Sequence, residues 1–102
     1  MEFKVIFRES FLHDLRRIVE AVAAHDPKAA TRLGNLIVSR AEKLTFFPER
    51  YPRVRQRRGV RRFVAGRYFK VFYAIERETG TIEILRFWDG RRGSDPIVEI
   101  KP

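Results

Sequence analysis

Nine cationic residues, Arg50, Arg53, Arg55, Arg57, Arg58, Arg61, Arg62, Arg67 and Lys70, fall between Arg50 and Ile75 with no Asp or Glu among them. The other 13 Lys and Arg balance all 13 acids of the chain, so the net charge of +9 is a local feature of its middle. A field of one sign attracts polyanions, whether nucleic acid, an acidic protein surface or an acidic inhibitor. Guanidinium adds geometry to charge, because its planar fork grips phosphate or carboxylate with two parallel hydrogen bonds. Tyr68, Phe69, Phe72 and Trp88 interleave with or follow the cations and offer faces for stacking. His13 and His25 lie far from this cluster in sequence and read as surface residues. With no Cys and no acid at metal spacing from either His, neither a disulfide, a metal site nor a cofactor is expected.

The elements that must position these side chains can be read from periodicity. Phe3, Val5 and Phe7 alternate with Lys4, Ile6 and Arg8, which predicts a strand with one face in a core. Helical spacing follows: Phe11, Leu15, Ile18 and Val22 form one stripe of a first helix, with Ser10 as its expected cap. Asp26-Pro27 restarts a second helix carrying Ala30, Leu33, Ile37, Ala41 and Leu44. The short connection makes the pair an antiparallel hairpin. Pro48 and Pro52 end the helical pattern, and residues 47–59 read as a loop. Residues 60–65 and 68–75 read as strands joined by the two-residue turn Gly66-Arg67, and residues 81–88 as a last strand ended by Asp89-Gly90. The stretch from Tyr68 to Ile75 is apolar at nearly every position and is expected at the centre of the sheet, covered on both faces. The fold class is therefore α+β, in the order β-α-α-β-β-β, with a helical hairpin on a mainly antiparallel twisted sheet.

A chain of 102 residues with 44% hydrophobic residues supports one core, and a single domain over residues 1–102 is expected. No apolar run approaches the roughly 18 to 20 residues that cross a bilayer, and the N-terminus alternates instead of forming an apolar block. A soluble, unexported, cytoplasmic protein without a membrane partner is the expectation.

That order of elements, joined to several words in the sequence, resembles the RelE/ParE superfamily of bacterial toxins. The words are Phe3-Lys4-Val5-Ile6-Phe7, Leu44-Thr45-Phe46-Phe47-Pro48-Glu49, the run from Val60 to Tyr68 leading into Val71-Phe72-Tyr73, and the run from Ile82 to Arg92. The resemblance implies the toxin of a type II toxin–antitoxin module, associated with plasmid stabilisation and growth arrest. It implies neutralisation by a cognate acidic antitoxin in a hetero-oligomer. Its members divide between ribosome-dependent mRNA endonucleases of the RelE kind and DNA gyrase inhibitors of the ParE kind.

Metal-independent RNA cleavage needs a base for the 2′-hydroxyl, an acid for the leaving oxygen and positive charge on the scissile phosphate. Arg61, Arg62 and Arg86 are the catalytic candidates for the last role, if the chain is a nuclease. In the RelE-like pattern a Tyr or His commonly lies close after the last strand, whereas here that place reads Trp88-Asp89-Gly90-Arg91-Arg92. Asp89 is a candidate base, but Asp-Gly at a strand end is ordinarily a turn. The long helix hairpin and the Phe-Phe-Pro-Glu word look more like ParE, and gyrase inhibition is the preferred reading. The target-binding candidates are Arg58, Arg61, Arg62, Arg67, Tyr68, Arg86, Trp88, Arg91 and Arg92, whereas Tyr73 reads as core. By strict alternation Arg62 shares a face with Val64, and Arg86 with Ile84 and Trp88. Arg62 and Arg86 are thus expected to converge on the helix-free face of the sheet.

An antitoxin segment needs an apolar groove or an unpaired strand edge. The hairpin residues Phe11, Leu15, Ile18, Leu33 and Ile37 are the candidates for the first, and the opening strand for the second. Residues 97–100 alternate like a further short strand. Two rival readings remain at this level: a nucleic-acid-binding module without toxic activity, and an inactive family member retained as a partner of its antitoxin.

Overall fold

The computed structural model describes residues 2–96 of the chain, and the alternating residues 97–100 lie outside the described residues. Strand β1 (Lys4–Phe7) leads into helices α1 (Glu9–Ala23) and α2 (Pro27–Glu42), followed by strands β2 (Arg61–Ala65), β3 (Phe69–Glu76) and β4 (Thr81–Asp89). The sheet order is β1-β4-β3-β2. β2, β3 and β4 are antiparallel neighbours, whereas β1 runs parallel to β4 with Lys4 opposite Thr81 and Phe7 opposite Ile84. The α+β class and the order of elements hold as expected, and β3 is central.

Local chemistry explains most boundaries. Asp26 caps α2 by accepting from Ala29 N at 3.1 Å, with Pro27 in the first turn. Ser10 does not cap α1, which begins at Glu9 with Arg8 in the cap position; its hydroxyl instead donates to the Leu85 carbonyl at 2.7 Å. The β2–β3 connection spans residues 66–68 rather than two residues, since Ala65 pairs with Phe69 and Gly66 takes φ +63. β4 carries a bulge: Phe72 opposes Arg86 but Tyr73 opposes Ile84, which leaves Leu85 as an extra residue.

That bulge redistributes side chains between two cores. On the helix side, Phe11, Ile18, Ile37 and Leu44 pack on Phe63, Val71, Tyr73, Ile82, Ile84 and Phe87. On the other side, Val54 and Val60 from the loop before β2 cover Phe72, Leu85 and Trp88. Ile84 and Trp88 are therefore on opposite faces, and the strict alternation assumed from sequence fails at Leu85.

β4 outlasts β1, so its C-terminal half has no strand on one side. Helix α1 supplies the missing partners. Arg8 N donates to Ile84 O at 3.0 Å, Ser10 Oγ to Leu85 O, and Phe87 N donates to the Asp14 carboxylate at 3.1 Å. A strand edge that would otherwise be open is thereby closed by the Arg8 backbone and by side chains of α1.

Candidate functional site

The helix-free face of the sheet gathers the cations that the sequence places in the middle of the chain. Directly opposed residues of neighbouring strands share a face. Arg62, Phe72 and Arg86 therefore form one cross-strand row, and Val64, Lys70 and Trp88 the next. Arg62 and Arg86 flank Phe72 on this face, but they do not converge, because each is drawn outward by a different carboxylate. Arg62 donates to Asp95 at 2.9 Å, and Lys70 donates to the other oxygen of Asp95 at 2.7 Å. Arg86 reaches the β4 edge and donates to both oxygens of Asp14, at 2.5 and 3.1 Å. Asp14 is only 2% exposed and its partners there include Phe87 N, so Arg86 holds a helix onto the sheet.

Two segments lie over the row. Residues 52–60 form a compact loop, tied by Val54 N to Val60 O at 2.7 Å and by Arg62 N to Pro52 O at 3.2 Å, with both valines buried against Phe72 and Trp88. Residues 91–96 approach from the other side: Arg92 stacks over the Trp88 ring at 4.4 Å, Arg91 over Tyr68 at 4.1 Å, and Asp95 bridges Arg62 and Lys70. The indole N–H of Trp88 is buried and meets no acceptor among the described residues. Asp89 does not stand as a free base. Its carboxylate accepts from Arg91 N, Nε and Nη2, and that side-chain bond holds its pKa below the ordinary carboxylate value.

Arg61 belongs to the other face, opposite Tyr73. Its Nη1 donates to the carbonyls of Tyr51 at 2.6 Å and Glu49 at 3.2 Å, so it ties the post-helix loop to β2. Tyr73 is core, as expected: its hydroxyl donates to Pro48 O at 2.6 Å, and desolvation raises its pKa to about 12. A residue missed in the sequence is Arg40 of α2, which donates to Val64 O and to Tyr51 Oη and lies over Phe63 at 4.6 Å. Nothing in the helical pattern marks it, because its partners come from a later strand.

Arg58, Arg67, Arg91 and Arg92 are exposed and Tyr68 is half-buried, whereas Trp88 is interior. The hairpin stripe expected to meet an antitoxin is placed differently. Phe11, Ile18 and Ile37 are buried under the sheet, and Leu15 and Leu33 pack against the same core, so these five hold the fold and are not a free groove. The most exposed large apolar side chains lie after the hairpin, where Phe46 and Phe47 are 62% and 71% exposed beside a cleft that Phe3 and Pro48 also line; Ile6 on β1, Val64 on β2, Leu12 on α1 and Leu36 on α2 are exposed as well. Among the described residues no group of His, Asp and Glu could hold a metal ion, and no helix is long and apolar enough to cross a membrane.

Comparison with known proteins gives a concordant picture. The family described as the ParE toxin of the type II toxin–antitoxin system parDE matches residues 5–93. A chain of the toxin–antitoxin complex RelBE2 from Mycobacterium tuberculosis superposes with a TM-score of 0.67 at 23% identity, over 87% of this chain and 99% of that one. A chain of the chromosomal ParDE system from P. aeruginosa gives 0.75 at 20% identity, over 86% and 96%. At these identities the two structures establish the shared fold. A search of curated proteins finds no match.

Proposed function

The chain belongs to the ParE toxin family of type II toxin–antitoxin systems, and from that premise we propose that it inhibits DNA gyrase rather than cutting mRNA. The observation that carries this reading is the fate of the catalytic candidates. Arg61 lies on the other face of the sheet, anchored there through Nη1 by two backbone carbonyls, while Arg62 is paired with Asp95, Arg86 with Asp14, and Asp89 with Arg91. An in-line attack by a 2′-hydroxyl needs an acid–base pair and free positive charge around one phosphate. Here the face where that constellation was sought is instead packed with Val54, Val60 and Trp88. What it presents outward is a cationic rim of Arg58, Arg67, Arg91 and Arg92, suited to docking on an acidic protein or a protein–DNA complex.

The same reading places the protein in the cytoplasm with its target, held inactive by an antitoxin. Phe46 and Phe47 line an apolar cleft with Phe3 and Pro48, which Arg77 and Glu49 also reach and beside which Arg50 donates to the Phe47 carbonyl, and β1 is an edge strand of the sheet; together these suit a segment with apolar side chains. The deciding experiment is expression under tight induction, with growth, mRNA integrity and plasmid supercoiling sampled from the same cultures. Relaxed plasmid with intact mRNA is the expected result, and purified protein should inhibit gyrase supercoiling. Ribosome-dependent mRNA cuts would overturn the reading, and no arrest would favour the inactive partner or the nucleic-acid-binding module.

A further inference from the structure

A second cationic site lies at the junction of the 53–59 loop with the start of β2 and the end of β3, and it shares Arg58 with the rim described above. Arg53 and Arg61 are opposed in an isolated antiparallel bridge. Opposed residues share a face, and like charges in that position repel. Both line a cleft of about 280 Å³, together with Arg58, Gly59, Ile75 and Arg77. Two of its four guanidinium groups are held in place, Arg61 by the carbonyls of Glu49 and Tyr51 and Arg77 by the Glu49 carboxylate. Arg53 and Arg58 have no ion pair among the described residues and are exposed. Gly59 adds no side chain, and a Cβ there would meet nothing within 4 Å, so the wall of the cleft is open at that point.

From this arrangement we infer that the cleft binds an oligophosphate group, as carried by a nucleoside polyphosphate or by consecutive phosphates of a nucleic acid. Tethered Arg61 and Arg77 supply preformed donors, and Arg53 and Arg58 close on the ligand. The cluster carries repulsion when empty, which a multivalent anion relieves. Its size admits two or three phosphates and not a folded peptide segment. Bidentate recognition of phosphate by guanidinium is the chemistry that selects this class. Because Arg61 and Arg77 also hold backbone and loop, the discriminating positions are Arg53 and Arg58.

The test is calorimetric titration of the whole chain with diphosphate, with Tm measured in diphosphate and in chloride of matched ionic strength. Saturable binding at one site per chain is expected, with a Tm rise that chloride does not reproduce. The R53A/R58A double variant should weaken binding roughly tenfold or more, since two charge-assisted contacts are removed. Arg55→Ala and Arg16→Ala, exposed and outside the cleft, should leave it unchanged. Equal weakening by R55A would reduce the effect to general polyelectrolyte attraction and overturn the inference, as would the absence of saturable binding. Competition by a nucleoside triphosphate and by single-stranded DNA then separates the two sources. Displacement by either one supports the site, and the tighter competitor names its ligand. A glutamate-rich peptide that displaces diphosphate more tightly than both would overturn the phosphate assignment. None of these outcomes depends on gyrase inhibition.

Discussion

Asp14 of α1 and Arg86 of β4, 72 residues apart, form a two-pronged ion pair whose carboxylate also accepts the backbone N–H of Phe87. The pair is nearly solvent-free on the acid side, so its members are costly to separate and modest in value when intact.

Asp14→Ala is therefore expected to destabilise the chain by roughly 1 to 3 kcal/mol, the range for buried donors, here Phe87 N–H and the guanidinium edge, that lose their acceptor. D14L/R86M should be less damaging than D14A, since it removes both charges. Denaturant unfolding of the three proteins checks the order; D14A within about 0.5 kcal/mol of the parent would contradict it.

Tyr73 links pH to stability. Its folded-state pKa is raised from 10.0 to about 12 by burial, so the unfolded chain loses its phenolic proton first as pH rises. The contribution is fully present below pH 10 and disappears as pH climbs toward 12. Tyr73→Phe should abolish this segment of the pH–stability curve and cost about 1 to 2 kcal/mol at neutral pH, from the unpaired Pro48 carbonyl. Unfolding of both proteins between pH 9 and pH 12, on the order of the window set by those two pKa values, would expose a parallel slope if the hydroxyl is not responsible.

The 52–60 loop is fastened to the helix-free face by Val54 and Val60. V54S/V60S should release it while leaving the helix-side core in place. Trypsin is the probe, because Arg53, Arg55, Arg57 and Arg58 all lie in this loop. Cleavage there should precede all other cuts in the variant and be slow in the parent, with far-UV circular dichroism retained.

Arg67 follows the glycine of the β2–β3 turn and is exposed. Arg67→Glu should change stability by no more than about 0.5 kcal/mol, yet reduce inhibition of gyrase supercoiling by roughly tenfold if the cationic rim is the docking surface. Unchanged inhibition would remove Arg67 from that surface.

Phe46→Ser with Phe47→Ser tests the antitoxin surface. Both rings are largely in water, so folding should be spared. Affinity for the cognate antitoxin should fall by roughly tenfold or more, as for the loss of central apolar anchors. A complex of parental affinity would show that the antitoxin docks elsewhere.

Periodicity carried the element order and the central position of β3, because a twofold or 3.6-fold apolar pattern is imposed by burial itself. It could not carry the bulge at Leu85. One extra residue in a strand leaves the composition unchanged and alters every later side chain's face, so the expected grouping of Arg86 with Ile84 was lost. Ser10 departs from its expected role for a related reason: a hydroxyl near a helix start suits a cap, but its partner here is a carbonyl 75 residues on. The basic cluster was plain in sequence, whereas its division between Asp95, Asp14 and the carbonyls of Glu49 and Tyr51 is a tertiary matter. The hairpin stripe shows the same limit. An amphipathic face looks alike whether it awaits a partner or its own sheet, and Phe11, Ile18 and Ile37 turned to the sheet.

The parallel pairing of β1 with β4 has a consequence for synthesis. The first strand of the chain has its ladder partner at residues 81–84, and α1 finds its acceptors and donors at Leu85 to Phe87. While the ribosome is still making the segment between them, β1 and the hairpin have an apolar face and nothing to cover it. Contacts of such long sequence separation form late. The fold thus comes together only as the last strand emerges, and until then the apolar faces of β1 and the hairpin are open to any other chain that can cover them.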